Sequence, residues 1–246
     1  MNLILLFEID FIASHRVRLT GRRFDHIKDI LKAESGQTLT VGKINGLMGQ
    51  GKVVSKTNDA VELEVMLDVK PPQALALTLI LALPRPPMLK RILFSAAMLG
   101  VKKIIILNFN RVEKSLWNSS SLKPEAIIEQ LVLGLEQAKD TVLPEVILKK
   151  GFKPFVQVEL SGLIKGKLAL VAHPGSSVIP ASHFVIPAKA GIQDKHIILI
   201  IGPEGGINDF EIELLKSAGC QLIDLGPRIL RTEYVLPYVV GRLFSH

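Results

Sequence analysis

The segment at residues 197–201, Ile-Ile-Leu-Ile-Ile, offers no polar face to solvent. A strand of this kind must be covered on both faces, which is typical of a mostly parallel sheet flanked by helices. Similar apolar segments recur from residue 74 onward and alternate with helical patterns. They predict strands at residues 75–83, 103–107, 145–148, 167–173, 196–201 and 221–225. The sequence therefore predicts an α/β domain at residues 71–246.

Signals for helix ends lie between these strands. A helix predicted at 88–99 ends before Gly100, and one at 124–138 begins with Pro124 at a tolerated first-turn position. Asn208 can cap a helix whose third residue is Glu211, and Gly219 can end that helix. The pattern thus provides helices for both faces of the sheet.

The first seventy residues follow a different pattern, with short strands separated by polar turns. The predicted strands are at 3–7, 16–19, 38–41, 51–56 and 60–66. One helix is predicted between them from the helical spacing of Phe24, Ile27, Ile30 and Leu31. Pro71 and Pro72 interrupt both ladders and helices. We therefore predict a small β-barrel at residues 1–70, followed by the α/β domain.

Positive charge is concentrated in this N-terminal part. The chain has a formal net charge of +7, and residues 14–56 contain nine basic residues against three acidic ones. Such a cluster can neutralise phosphates, although an ordinary solvated surface explains the charge equally well. The candidate RNA-binding residues are Arg16, Arg18, Arg22, Arg23, Lys28 and Lys32.

Composition excludes several classes of protein. The single cysteine, Cys220, and the absence of a Cys/His cluster exclude a disulfide framework and a zinc finger, so no metal site is predicted. The cysteine is interpreted as a buried apolar side chain. No uncharged apolar stretch reaches the roughly 18 residues of a membrane span, and no basic segment precedes the apolar run at 3–7. We expect a soluble cytoplasmic protein with no membrane partner.

Two apolar segments end in glycine-containing loops. One is Gly-Pro-Glu-Gly-Gly at 202–206, and the other lies within Leu-Gly-Pro-Arg-Ile-Leu-Arg-Thr-Glu at 225–233. Neither has the spacing of the common phosphate-binding loops. Glycines allow the backbone to approach a flat heterocycle closely, whereas a tight turn into a helix is the purely structural alternative for the first loop.

The second loop adds charged side chains. Arg228 and Arg231 lie three residues apart, and Thr232 with Glu233 at a helix start would satisfy free backbone amides. Buried arginines that pair only with Glu204 or Glu233 are the structural alternative.

Together, the motifs at 201–206 and 225–233 resemble those of the RsmE family of the SPOUT superfamily, methyltransferases that modify uracil N3 in small-subunit (16S) ribosomal RNA. The resemblance extends over the whole chain through the segments 24–32, 98–104 and 136–138. It implies a trefoil-knotted, mostly parallel sheet with helices on both faces and a PUA-like N-terminal β-barrel. It also implies S-adenosylmethionine as cofactor, a homodimer, and ribosomal RNA or the assembled 30S subunit as substrate.

The resemblance assigns the cofactor to three loops, at 171–173, 202–206 and 225–232. The expected cofactor-binding residues are Ala172, His173, Ile201, Gly202, Pro203, Glu204, Gly205, Gly206, Leu225, Gly226, Ile229, Leu230 and Thr232. Loss of the imide proton of uracil N3 leaves an anion that a cationic donor stabilises. We predict Arg231 as that donor, Arg228 as the second candidate and Glu233 as the group that orients them, with Glu204 a candidate base.

The chain differs from the family pattern at three places. It has Tyr234 in place of a threonine, Asp140 near the position of an arginine, and Lys32 in place of an arginine. Tyr234 and Asp140 favour an alternative function, a non-catalytic RNA-binding or ribosome-assembly factor that retains the fold. A nucleotide-binding enzyme unrelated to RNA is disfavoured by the basic barrel and the lack of a phosphate loop.

One segment does not fit the α/β pattern. The phrase Val-Ile-Pro-Ala occurs at 178–181 and again at 185–188. Closely spaced prolines are incompatible with a central strand, so residues 177–193 are predicted to be an irregular surface insertion.

Overall fold

The computed structural model describes residues 1–174, 179–180 and 196–244. The chain forms two compact units. The first contains Met1–Gln73 and Leu131–Leu143, and the second contains Ala74–Gln130 and Pro144–His246. The first unit therefore includes a segment from the middle of the chain. The division at residue 70 that the sequence suggests stays a prediction.

The first unit contains a six-stranded sheet. Its strands are β1 (Ile4–Leu6), β2 (Phe11–Ala13), β3 (Arg16–Thr20), β4 (Thr38–Lys43), β5 (Met48–Lys56) and β6 (Ala60–Val69). They are ordered β1-β4-β5-β6-β3-β2, and all pairs are antiparallel except β1 with β4. Strands from both halves of this order bury side chains in one core, among them Ile4, Leu6, Val17 and Leu19. A shared core of this kind is what the predicted small barrel requires.

The helix predicted between these strands is only partly as expected. Helix α1 (Gly21–Asp25) continues as a π-helical turn, His26–Ile30, and Phe24 and Ile27 are buried. Ile30 and Leu31, however, are 68% and 41% exposed, so the four apolar residues at helical spacing do not form one buried face. The Leu31 amide donates to the carbonyl of His26, five residues earlier. This wider turn rotates the last two residues away from the apolar face.

The second unit is built on a parallel sheet. Its strands are β7 (Leu77–Ala82), β8 (Lys103–Leu107), β9 (Glu145–Lys149), β10 (Leu168–Ala172), β11 (Ile179–Pro180), β12 (Ile197–Ile201) and β13 (Gln221–Asp224). Their order is β11-β13-β10-β12-β7-β8-β9, and every described pair is parallel. Strands β7 and β12 are buried along their whole length. The predicted mostly parallel sheet is confirmed.

The remaining helices connect these strands. They are α2 (Pro86–Met98), α3 (Pro124–Ala138), α4 (Phe152–Pro154), α5 (Ser161–Ile164), α6 (Asp209–Ser217) and α7 (Thr232–Leu243). A π-helical segment, Phe155–Leu160, joins α4 to α5, and the sequence pattern did not predict this helix. Short 3-10 helices occur at Glu8–Asp10, Lys114–Asn118 and Ser120–Leu122. No described helix is both long and apolar enough to cross a membrane.

The start of α6 agrees with its prediction. Asn208 Oδ1 accepts from the Glu211 amide at 2.8 Å, and Glu211 Oε2 accepts from the Asn208 amide at 3.2 Å. Gly219, with φ of 99°, follows the helix end. The predicted insertion at 177–193 lies outside the described residues except for β11, which pairs with the sheet edge at β13.

A buried carboxylate lies in the first unit, on the part of α3 that belongs to it. Glu136 is 1% exposed, and its Oε2 lies 2.8 Å from Arg22 Nη2. The Glu136 carbonyl also accepts from the amides of Asn2 and Leu3. Burial raises the pKa of the Glu136 carboxyl above its usual value, and the charge of Arg22 opposes that shift.

We expect Glu136→Gln to change how stability depends on pH. Because the folded-state pKa of Glu136 is raised, the free energy of unfolding falls as pH rises from the usual value of 4.5 through the raised one. The glutamine variant lacks this fall. Urea unfolding at a series of pH values measures both curves. Arg22→Gln should extend the fall to higher pH, because the opposing charge is lost. Parallel curves for wild type and Glu136→Gln would contradict the assignment.

Candidate functional site

A cleft of about 510 Å³ lies in the second unit, at the carboxyl ends of β10 and β12. This volume is in the range of small-molecule sites. The loops after β10, β12 and β13 form its walls together with the beginnings of α2 and α7. Its lining residues are Arg85, Met88, Ala172, His173, Ile201, Gly202, Pro203, Glu204, Gly206, Ile207, Ile229, Leu230, Arg231, Thr232, Glu233 and Val235.

Strand order explains why these loops meet. Strands β13, β10 and β12 are neighbours in the sheet, and parallel strands end at the same edge. After β13 the chain reaches α7, which packs against α2, the helix that follows β7. On the way, Ile229 and Leu230 meet the residues at the ends of β10 and β12 in the cleft. The trefoil knot stays a prediction.

The cleft brings together most of the predicted site. It is lined by the predicted residues of the loop after β10, by every predicted residue of the glycine loop except one, and by Ile229 to Glu233 of the loop after β13. Four predicted residues do not line it: Gly205, Leu225, Gly226 and Arg228. Their roles, like those of the other predicted site residues, stay predictions.

Sequence patterns missed four lining residues, Arg85, Met88, Ile207 and Val235. Arg85 and Met88 follow the buried strand β7, which pairs with β12. The sequence feature that could have indicated Arg85 and Met88 is therefore a polar or flexible side chain close after a buried strand. Only the order of the strands shows that this strand ends beside the glycine loop.

The glycine loop after β12 is a tight turn that also forms a wall of the cleft. The Gly206 amide donates to the Pro203 carbonyl at 2.8 Å, and Gly206 has φ of 79°. A Cβ at Gly202 would lie 2.4 Å from Ile207 Cγ1, so the backbone there requires glycine. At Gly205 a Cβ would meet Arg111 only at ordinary contact distance, 3.6 Å.

Two side chains hold this loop in place through contacts that the sequence did not indicate. Arg111 Nη1 donates to the Gly205 carbonyl at 2.6 Å. Glu211, only 2% exposed, accepts from the Asn110 amide at 2.7 Å in addition to capping its own helix. The loop after β8 is thereby tied to the loop after β12.

The loop after β13 is held at its start and open at its end. Tyr238 Oη donates to the Leu225 carbonyl at 2.9 Å, and the Gly226 amide donates to Asp224 Oδ1 at 3.2 Å. Ile229 is 89% exposed. Within the described part of the chain, no backbone hydrogen bond involves Ile229 or Leu230. Their amides and carbonyls are therefore available to a ligand in the cleft.

The beginning of α7 differs from its prediction. Arg231 occupies the capping position, and no side chain caps the helix. Thr232 and Glu233 are buried, and Glu233 Oε1 lies 3.4 Å from Arg91 Nη1 on α2. Helix α7 begins at the Thr-Glu pair as predicted, but the Glu233 carboxylate turns toward α2, so the prediction that this pair satisfies the free amides is wrong.

The arginines of this loop are not buried in ion pairs. Arg228 and Arg231 are exposed, and neither forms an ion pair with any described residue. Glu204 instead lies 3.8 Å from Arg85, which also approaches Glu113 at 3.4 Å. The alternative of buried, merely structural arginines is therefore wrong. Arg231 presents an uncompensated cation at the cleft.

Cys220 takes no part in this chemistry. It is buried outside the cleft, and burial raises the pKa of its thiol to about 12. A thiol with this pKa is not a nucleophile at neutral pH. The interpretation of Cys220 as a buried apolar side chain is confirmed.

A profile of the RNA methyltransferase domain matches residues 71–243. The chain belongs to this RNA methyltransferase family. It is 28% identical over 233 residues to ribosomal RNA small subunit methyltransferase E of Treponema pallidum, covering 94% of this chain and 86% of that relative. It is 22% identical over 228 residues to the Bacillus subtilis protein of the same name, and the match covers 92% of this chain and 88% of that relative.

Solved structures of similar proteins have the same fold. A Legionella pneumophila protein described as a methyltransferase, in complex with bound SAM, matches with a TM-score of 0.76 at 23% identity, covering 99% of this chain and 97% of that one. Ribosomal RNA small subunit methyltransferase E from Neisseria gonorrhoeae, bound to S-adenosyl methionine, matches with a TM-score of 0.74 at 19% identity, covering 99% and 98%. The predicted fold, a mostly parallel α/β sheet with a β-rich N-terminal part, is confirmed.

Gly202→Ala should destabilise the enzyme by about 1–3 kcal/mol, because its methyl group would overlap Ile207. Ile207→Ala alone should cost about 2–5 kcal/mol as a buried large-to-small change. The double variant should be more stable than the sum of the two effects predicts, since the overlapping atoms are gone. Urea unfolding of the four proteins measures this coupling. Strictly additive effects would show that the loop moves freely around Ile207.

Proposed function

We propose that the protein is an S-adenosylmethionine-dependent methyltransferase that modifies N3 of a uridine in small-subunit ribosomal RNA. The observation that carries the proposal is the cleft, in which the two glycine-containing loops meet in a chain of the RNA methyltransferase family. Small-subunit ribosomal RNA methyltransferases among the relatives support the substrate. A ribosomal substrate is consistent with a cytoplasmic protein.

The residues of the cleft fit this cofactor. Ile201, Ile207 and Ile229 provide apolar contacts for a flat base, and the unbonded backbone groups of Ile229 and Leu230 can hydrogen-bond its edge. Carboxylates and cations both line the cleft, as a ligand with a carboxylate, an ammonium and a sulfonium requires. When bound, the cofactor supplies an activated methyl group.

Arg231 is proposed to stabilise the anion that forms when uracil N3 loses its proton. It lines the cleft, is exposed, and has no carboxylate partner among the described residues. A preorganised cation near the developing charge lowers the barrier. Glu233, held by Arg91, lies two residues further along α7 and fixes the start of the helix that carries Arg231. Glu204, 44% exposed in the lining, is the proposed base.

The first unit is proposed to bind RNA through only part of its basic cluster. Arg16, Arg22 and Arg23 pair with Glu62, Glu136 and Asp10, respectively. Arg23 is only 16% exposed and also donates to the Leu5 carbonyl at 2.8 Å. Among the six candidate RNA-binding residues, those that are exposed and form no ion pair in the described chain are Arg18, Lys28 and Lys32. These three are best placed to contact phosphates.

Two further parts of the proposal come from the family resemblance. The enzyme is proposed to act as a homodimer, and its substrate uridine must be unpaired because N3 lies on the Watson–Crick edge. A non-catalytic RNA-binding factor is the second candidate, and the exposed Tyr234 beside Glu233 is the feature that supports it. Asp140 does not distinguish the two, since its Oδ1 accepts from the Val142 amide within the first unit.

Arg231→Ala should leave S-adenosylmethionine affinity within a few-fold but lower methylation by roughly 10²–10³, the scale for losing one charge-stabilising donor. Calorimetry and transfer of radiolabelled methyl to small-subunit RNA measure the two effects. Arg228→Ala is the matched control and should retain more activity. A normal rate for Arg231→Ala with a slow Arg228→Ala would reverse the two roles. Cofactor binding without any methyl transfer by wild type would favour the non-catalytic factor.

Combined Arg18→Glu and Lys28→Glu changes should weaken RNA binding and flatten its salt dependence, because phosphate contacts release counterions. The double variant Lys102→Glu and Lys103→Glu changes the net charge by the same amount but in the second unit, so it is the control for a general effect of charge. Filter binding at several salt concentrations gives the affinities and slopes. Identical losses in both double variants would indicate a general charge effect, and no loss in the first would leave its basic residues as a solvated surface.

A further inference from the structure

The only tryptophan of the chain lies just beyond the carboxyl ends of β8 and β9. Trp117 Nε1 donates to Asn108 Oδ1 at 2.8 Å, and the Asn108 amide donates to the Lys149 carbonyl at 2.9 Å. These bonds fix the indole ring against the ends of both strands. Lys150 Nζ lies over the ring, 5.8 Å from its centroid.

This aromatic position is continuous with the glycine loop of the cleft. Asn108 begins the loop that carries Arg111, and Arg111 donates to the Gly205 carbonyl at 2.6 Å. A covalent and hydrogen-bonded path of a few residues thus connects the indole to the wall of the cleft. Lys114 lies in the same short 3-10 helix as Trp117, and Lys153 lies on α4, three residues after Lys150. We call Arg111, Lys114, Trp117, Lys150 and Lys153 the tryptophan edge.

The tryptophan edge is positively charged. Lys114, Lys150 and Lys153 are exposed, and none forms an ion pair with another described residue. The neighbouring carboxylates are already engaged, Glu113 with Arg85 and Glu159 with Lys149. An aromatic ring held in place among unpaired cations is the pattern of surfaces that bind single-stranded nucleic acid.

We propose that the tryptophan edge binds the single-stranded RNA that flanks the target nucleotide. A base stacks on the Trp117 ring, while Lys150 swings from the ring to a phosphate and Lys114 contacts another. An acidic protein segment would satisfy the lysines but would leave the indole without a stacked partner. The inference rests on the proposed function, since it places the strand beside the base that receives the methyl group. It assigns these residues to binding, not to catalysis.

Because Trp117 is the only tryptophan, its fluorescence reports this contact directly. An unlabelled oligouridylate of about ten nucleotides should quench the emission as it binds. The midpoint of the quenching titration should equal the Kd measured from the fluorescence anisotropy of a labelled copy of the same oligouridylate. Polyglutamate at equal charge should not quench. Equal quenching by polyglutamate would overturn the proposal in favour of a surface for acidic protein segments.

Variants separate stacking from charge. Trp117→Ala should weaken RNA binding about tenfold or more and Trp117→Phe much less, because phenylalanine retains a stacking face. Lys150→Glu should weaken binding and reduce the quenching. Lys165→Glu makes the same charge change at an exposed lysine just before β10, at the opposite edge of the sheet, and should have little effect. Unchanged affinity for S-adenosylmethionine in each variant checks that the fold is intact.

The outcomes distinguish this inference from the proposed function. Suppose that the wild-type protein binds and methylates RNA but its tryptophan emission does not change, and that Trp117→Ala and Lys150→Glu bind RNA with normal affinity. These results overturn the tryptophan edge alone. Quenching and tenfold losses without any methyl transfer support the edge and contradict the enzymatic proposal. Failure to bind the oligouridylate by either measurement overturns the tryptophan edge, and the enzymatic proposal then depends on methyl transfer to small-subunit ribosomal RNA.

Discussion

The central strands of the second unit's sheet leave only their ends for chemistry. Strands β7 and β12 are buried along their whole length, so neither of their faces can hold an exposed polar group. Parallel pairing then brings the carboxyl ends of all the strands to one edge. The cleft and the tryptophan edge both lie there, one after β10, β12 and β13 and the other after β8 and β9.

Loops at that edge are useful only if they hold their shape without a ligand. Glu211 helps to hold the loops in this way, because its buried carboxylate accepts hydrogen bonds from the amides of Asn110 and Asn208. Arg111 and Tyr238 fix the carbonyls of Gly205 and Leu225 in the same way. Such preorganised loops lower the entropy lost on binding. The segment at Ile229 and Leu230 lacks these bonds, so its backbone groups remain available to a ligand.

The first unit shows why net charge alone does not define a binding surface. Arg23 and Arg22 belong to the basic cluster of the sequence, but they neutralise the buried carboxylates of Asp10 and Glu136. A buried carboxylate without such a partner is costly, so these arginines stabilise the unit. Only the positions of the carboxylates separate them from Arg18, which remains open to solvent.

Local patterns in the sequence were enough to predict the apolar strands, the Asn208 and Glu211 cap, and the loops that need glycine. These features depend on burial periodicity and backbone conformation, which neighbouring residues encode. Which strand ends meet depends on the order of the strands, so local patterns did not place Arg85 and Val235 in the cleft. It also decided that Glu233 turns to Arg91 instead of capping its helix. Contacts between distant segments depend on strand order and packing, which local patterns do not contain.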